Sequence, residues 1–154
     1  MSRVDPLAAR PGLSLARTAL TRRRPHANVC SIAMTSQGHA YAQFQRALKA
    51  GNPVVALDAA RELHHITLED ALGLCILLRN DKRRYPHAAA RWLARYHADV
   101  EGVTLADIRE IADLLAALPV HGSDAGVELA ARLKARGLHR CATRVRDLAV
   151  EPAA

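Results

Sequence analysis

Aromatic residues are almost missing from this chain: one Phe, one Trp and three Tyr make up 3% of 154 residues. Strands favour aromatic and β-branched side chains, and few of either are available here. Half of the chain is nonetheless hydrophobic, and most of that share is Ala and Leu. These are the strongest helix formers, and small side chains let helices approach closely. An all-α fold with an aliphatic core is expected, and the length is enough for one domain.

Other absences narrow the function. There are three cysteines, Cys30, Cys75 and Cys141, with no C-x-x-C pair. An odd, scattered set does not make a disulfide framework and fits a reducing cytoplasm. No apolar run approaches the roughly eighteen residues of a membrane-spanning helix. The chain holds no G-x-S-x-G, no phosphate loop, no G-x-G-x-x-G and no H-E-x-x-H. The expectation is a non-enzymatic, cytoplasmic bacterial protein with no cofactor, no resident metal and no membrane attachment.

Lysine is also scarce. Nineteen of the 22 basic residues are arginine, and only Lys49, Lys82 and Lys134 are lysine. A GC-rich genome favours Arg and Ala together, so the preference alone does not mark a phosphate-binding protein. The placement of charge is more telling. The first forty residues carry six arginines against Asp5, which accounts for five of the seven net positive charges. The rest of the chain is nearly neutral.

That opening stretch has no sustained period, and Arg17 interrupts "LSLARTAL", so it does not read as a secretory signal. "TRRRPHANVCSIAM" has some features of a twin-arginine export signal, and the composition has some of an organellar transit peptide. The plainer expectation is a disordered basic tail over residues 1–38, with Met34 as the true start. An all-helical domain then occupies residues 39–150.

Helical punctuation is dense from Tyr41 onward. A first helix, "YAQFQRALKA", stops at Gly51, and Asn52 caps a second with Pro53 at its first position. Thr67 opens a third through the capping-box pattern "TLED", and its apolar body "ALGLCILL" marks it as central. Pro86 starts a fourth, with Ala89, Trp92 and Tyr96 as its buried stripe. Thr104 caps a fifth as "TLAD", and Pro119 is expected to end it. Ser123 and Gly137 bracket a sixth, and "HRCATRVRDLAV" makes a short seventh.

Two segments echo each other: Pro53 leads to "ITLEDAL", and Pro86 leads to "VTLADIR". The offset of 33 to 37 residues is that of a helix-hairpin repeat. Five to seven helices in hairpins could therefore form a compact bundle or a short solenoid. The stretch from "FQRALKAGNP" to "RWLARYHAD" resembles a group of small, uncharacterised all-helical proteins of GC-rich, actinobacterial-type bacteria. The likeness spans about residues 41–119 and implies a helical fold without implying an activity.

Two polar stretches are candidates for chemistry. In "ELHHITLED", Glu62 and His65 have the Glu-x-x-His spacing of di-iron helical proteins, but the second copy such sites need is missing. His64 and His65 read instead as a helix C-terminus at a corner, where imidazolium suits the helix dipole. "RNDKRRYPHAAARWLAR" is the stronger candidate. Arg79, Lys82, Arg83 and Arg84 mark a helix junction, and Arg91 and Arg95 follow one turn apart. This arm suits an acidic protein partner or phosphates, or is a solvated face around Asp81. The function expected is a protein–protein interaction or adaptor module. The alternative is a weak nucleic-acid-associated protein that binds phosphates through the Arg-rich junction.

Overall fold

Local signals in the chain account for most of the helix boundaries. The computed structural model describes residues 27–150, with side chains from Gln37 onward. Six α-helices follow one another: α1 Ala27–Lys49, α2 Pro53–Glu62, α3 Leu68–Leu77, α4 Tyr85–Asp99, α5 Leu105–Ala135 and α6 His139–Val145. A π-helical turn, Arg146–Val150, closes the chain. No strand occurs among the described residues.

Helices α1 and α5 end alike. Gly51 and Gly137 take left-handed φ values of 67° and 76°, where a Cβ would be strained. The next residue then reaches back five positions, Asn52 N–H to the Ala47 carbonyl and Leu138 N–H to the Leu133 carbonyl. Carbonyls left over at the helix ends are satisfied in this way. Asn52 also caps α2, its side chain accepting from Val55 N–H at 3.2 Å.

The two Thr caps differ. At Thr104 the box is complete: its Oγ1 accepts from Asp107 N–H, and Asp107 Oδ2 accepts from Thr104 N–H at 2.8 Å. At Thr67 only the first half forms, because the Asp70 side chain turns inward. Asp70 accepts from Tyr41 Oη at 3.1 Å, Gln45 Nε2 at 2.7 Å and Arg144 Nη2 at 2.9 Å. This fully buried carboxylate ties α3 to α1 and α6.

Helix α3 has the central place its apolar sequence predicts. Leu72, Cys75 and Ile76 enter the larger core with Trp92, Leu115 and Leu129. Leu74 and Leu77 pack on a smaller cluster between α1 and α2, formed around Phe44 and Leu48. Helix α6 and the π-helical turn pack on both α5 and α3. In a solenoid each repeat would touch only its neighbours. The return to α3 instead makes a compact, closed bundle.

Two boundaries depart from expectation. Helix α1 begins at Ala27, well ahead of Tyr41 and inside the stretch read as a tail; residues 1–26 lie outside the described residues. No proline stands between Pro25 and Pro53 to stop a helix there, and the apolar stripe that would have announced it is weak. The second lies at Pro119, where helical geometry carries on for one more residue before it breaks at His121 (φ −114°, ψ 32°); the expected fifth and sixth helices are present as the two arms of α5, joined across this kink. A proline inside a helix deprives the carbonyl four residues back of its N–H. Here that carbonyl belongs to Leu115, and the buried Tyr85 hydroxyl donates to it. A side chain thirty positions away replaces the missing donor.

Two predictions follow from these local contacts. Tyr85→Phe leaves the Leu115 carbonyl unpaired in the core and should cost about 1–2 kcal/mol. In a Pro119→Ala background, where an N–H is restored, the same change should cost less; equal costs in urea denaturation would refute the substitution of donors. The second concerns acid. The Thr104 hydrogen bonds, then the Arg136 guanidinium, hold Asp107 down at about 2, against 3.8 for a free carboxyl. A lowered folded-state pKa gives stability that is complete above the unfolded value and fades as pH falls through the folded one. Wild type should therefore lose more stability between pH 4 and pH 2 than Asp107→Asn, as read from denaturation midpoints.

Candidate interaction groove

His64 and His65 stand in the exposed connection between α2 and α3. Helix α2 stops at Glu62, so Glu62 and His65 do not share a helix face and the Glu-x-x-His spacing has no geometric meaning. Among the described residues no group of three or more His, Cys, Asp or Glu is arranged to hold a metal ion. The corner is fastened from α4, where Arg95 Nη1 donates to the Ile66 carbonyl at 2.9 Å.

The six cations expected to act together divide between two faces. Arg79 and Lys82 line a groove of about 530 Å³ between α4 and α5, beside Pro86, Leu93 and Leu115. Arg79 is committed to the fold, its Nη1 donating to the Leu148 carbonyl at 2.6 Å. Arg83, Arg84, Arg91 and Arg95 line a different groove, of about 610 Å³, bounded by α2, α3 and α4.

The second groove has a simple construction. Ala71, Leu74, Cys75 and Leu78 form its floor, spaced along one face of α3. Arg84, Ala88, Arg91 and Arg95 run along one face of α4 as one wall, with His87 beside them. Leu57 and Arg61, one turn apart on α2, form the other. Helix α4 is turned this way because Trp92 and Tyr96 bury on the face adjoining the arginines, stacked at 5.5 Å, while Trp92 Nε1 donates to the Leu68 carbonyl.

Three rim arginines have acidic neighbours on their own segments: Arg61 with Asp58 at 2.7 Å, Arg84 with Asp81 at 3.6 Å and Arg95 with Asp99 at 3.4 Å. Such exposed pairs are worth roughly 0–1 kcal/mol and exchange readily for a better partner. Arg83 and Arg91 make no ion pair among the described residues. The junction is stiffened by Asp81, whose Oδ1 accepts from both Arg83 and Arg84 N–H at 3.0 Å. Cys75 in the floor is no nucleophile, because burial pushes its thiol up to about 12. Cys141 is likewise raised, to about 11.

Sequence reasoning missed Arg61 and His87. His87 stands four residues before Arg91, so the α4 face was readable from spacing alone. Arg61 was not, because only the packing of α2 beside α3 brings it to the rim. The groove thus joins an apolar floor to cationic walls. No protein family, curated protein or solved structure matches the chain.

The six cations should separate by mutation. Arg79→Gln and Arg95→Gln each strip a main-chain carbonyl of its donor and should cost about 1–2 kcal/mol in urea denaturation. Arg83→Gln and Arg91→Gln should lie within about 0.5 kcal/mol of wild type. Equal effects across the four would mean that the structural and free arginines are wrongly sorted.

Proposed function

We propose that this protein is a protein-interaction module that docks an acidic partner in the groove between α2, α3 and α4. The observation that carries this reading is an apolar floor beneath an arginine rim. A nucleic-acid backbone needs cations but gains nothing from the half-buried Leu74 or the buried Cys75 and Leu78. Single-stranded binding draws on stacking against exposed aromatic faces, and the one aromatic at this groove, Trp92, is 2% exposed. Protein interfaces, by contrast, join an apolar centre to a polar rim and are enriched in arginine. The reading extends to a reducing compartment, the cytoplasm, since Cys75 and Cys141 are buried free thiols. Among the described residues no helix is long and apolar enough to cross a membrane.

Its test is co-purification of the tagged full chain from native cells, with and without nuclease. A triple variant, Arg61→Gln/Arg83→Gln/Arg91→Gln, is run in parallel; none of these side chains donates to a main-chain carbonyl. A protein partner should survive nuclease and fall at least tenfold in the variant, with circular dichroism unchanged. Loss on nuclease treatment would favour binding through phosphates. A partner held equally by the variant would reduce the arginine rim to a solvated face.

A further inference from the structure

We infer that the occupant of this groove is an amphipathic α-helix of about three turns, apolar toward α3 and acidic along both flanks. The inference rests on the docking reading above and specifies the form of the partner.

The shape of the groove is the first argument. Its floor is one helix and its walls are two others, so the empty place is that of a fourth rod laid over α3. Floor positions 71, 74, 75 and 78 repeat at steps of three and four. This is the ridge pattern into which another helix packs its own side chains. The wall from Arg84 to Arg95 spans eleven residues of α4, about 16 Å at 1.5 Å per residue. A helix of about eleven residues, or three turns, matches that length.

Other peptide forms are poorly served. An extended strand needs an unpaired sheet edge to satisfy its backbone, and no strand occurs among the described residues. A polyproline segment needs exposed aromatic rings, and the Trp92 ring is buried under its own helix. A helix satisfies its own backbone and asks the groove only for apolar contact and flanking charge.

Charge placement is the second argument. Arg84, at the start of α4, and Arg91 and Arg95 within it stand at steps of seven and four on one face, so their backbone positions are about 10 Å and 6 Å apart along the wall. Carboxylates at the same steps on a helix lying beside α4 would meet them in turn. Arg61, on the opposite wall, adds a site for an acidic residue on the other flank. The chain's own N-terminal segment does not complement this rim, because residues 1–26 carry six arginines against a single aspartate.

The experiment places a photo-crosslinking phenylalanine analogue at the exposed rim position His87 of the full chain, in native cells. A control carries it at Val127 on α5, which is 55% exposed and lines no part of this groove. The crosslinked partner segment is mapped by mass spectrometry, then synthesised and titrated into the wild-type protein. The expected segment has apolar residues at steps of three and four with acidic flanks. Its helicity should rise on binding, and its affinity should fall at least tenfold against Arg84→Gln/Arg91→Gln. A protein adduct at position 87 whose segment is acidic but stays non-helical when bound overturns the helix and leaves the docking reading standing. A basic segment, only nucleic acid at position 87, adducts no stronger than at position 127, or no adduct at all, overturns both.

Discussion

A single buried carboxylate sets the geometry on which the rest of this fold depends. Asp70 is fully buried, and removing a charge from water costs several kcal/mol unless partners surround it. Its partners come from two other helices: Tyr41 and Gln45 on α1, and Arg144 on α6. Arg144 also donates to Gln45 Oε1 at 3.2 Å, closing a ring of side chains. All of these bonds are made together only when α1 and α6 meet α3 at this point. The arrangement also explains Gly73, where a Cβ would lie 3.1 Å from Arg144 Cδ. A methyl there would push away the arginine that neutralises Asp70. Hydrophobic residues could hold these helices equally firmly, so the polar ring adds selection of one packing more than it adds stability.

Elsewhere the fold repeatedly answers a main-chain carbonyl with a distant side chain. Tyr85 serves the carbonyl that Pro119 orphans in α5. Arg79 serves Leu148, Arg95 serves Ile66 and Trp92 serves Leu68. The Leu115, Leu148 and Ile66 carbonyls lie before a bend, in the closing turn and at a corner, where the regular i to i+4 bonding runs out, whereas Leu68 stands in the first turn of α3. Arginine suits this work because its stem packs on apolar surface while its planar fork reaches several acceptors. Part of the Arg-rich composition therefore closes the fold, as at Arg79 and Arg95, and part lines one groove without an ion pair among the described residues, as at Arg83 and Arg91.

This division decides what could be read from the sequence. The helices, their Asn and Thr caps and their glycine stops were legible because each is made by residues within five positions of one another. The central place of α3 followed from its apolar girth. Pro119 placed the break in α5 to within two residues and misled only in part: no local pattern reports that Tyr85, thirty residues away, donates to the carbonyl the proline orphans. Asp70 misled in a subtler way: "TLED" and "TLAD" look alike, yet one aspartate caps its helix and the other abandons the cap for a buried ring. The difference lies in what packs above each helix. The arm of six cations was seen as one patch because its residues are close in sequence. The turn before α4 in fact sends Arg79 and Lys82 to one side and the remaining four to the other.

The α4 wall shows how the fold prepares the groove. Arg95 is anchored to the α2–α3 corner and Trp92 is buried beside it, so the helix between them has little freedom to roll. Arg91 stands one turn before Arg95 on that fixed surface with no partner to hold it back. A guanidinium on such a support has already lost much of the orientational freedom that binding would otherwise remove, and less of the interaction is consumed in ordering it. The same geometry couples the groove to the core. Helix α3 is both the floor of the groove and the helix that Asp70 fixes against α1 and α6. A change that loosened the Asp70 ring would tilt the floor and move the α2 wall with Arg61, while leaving the arginines of α4 in place. The docking proposed for this groove would then depend on a residue that no partner would touch.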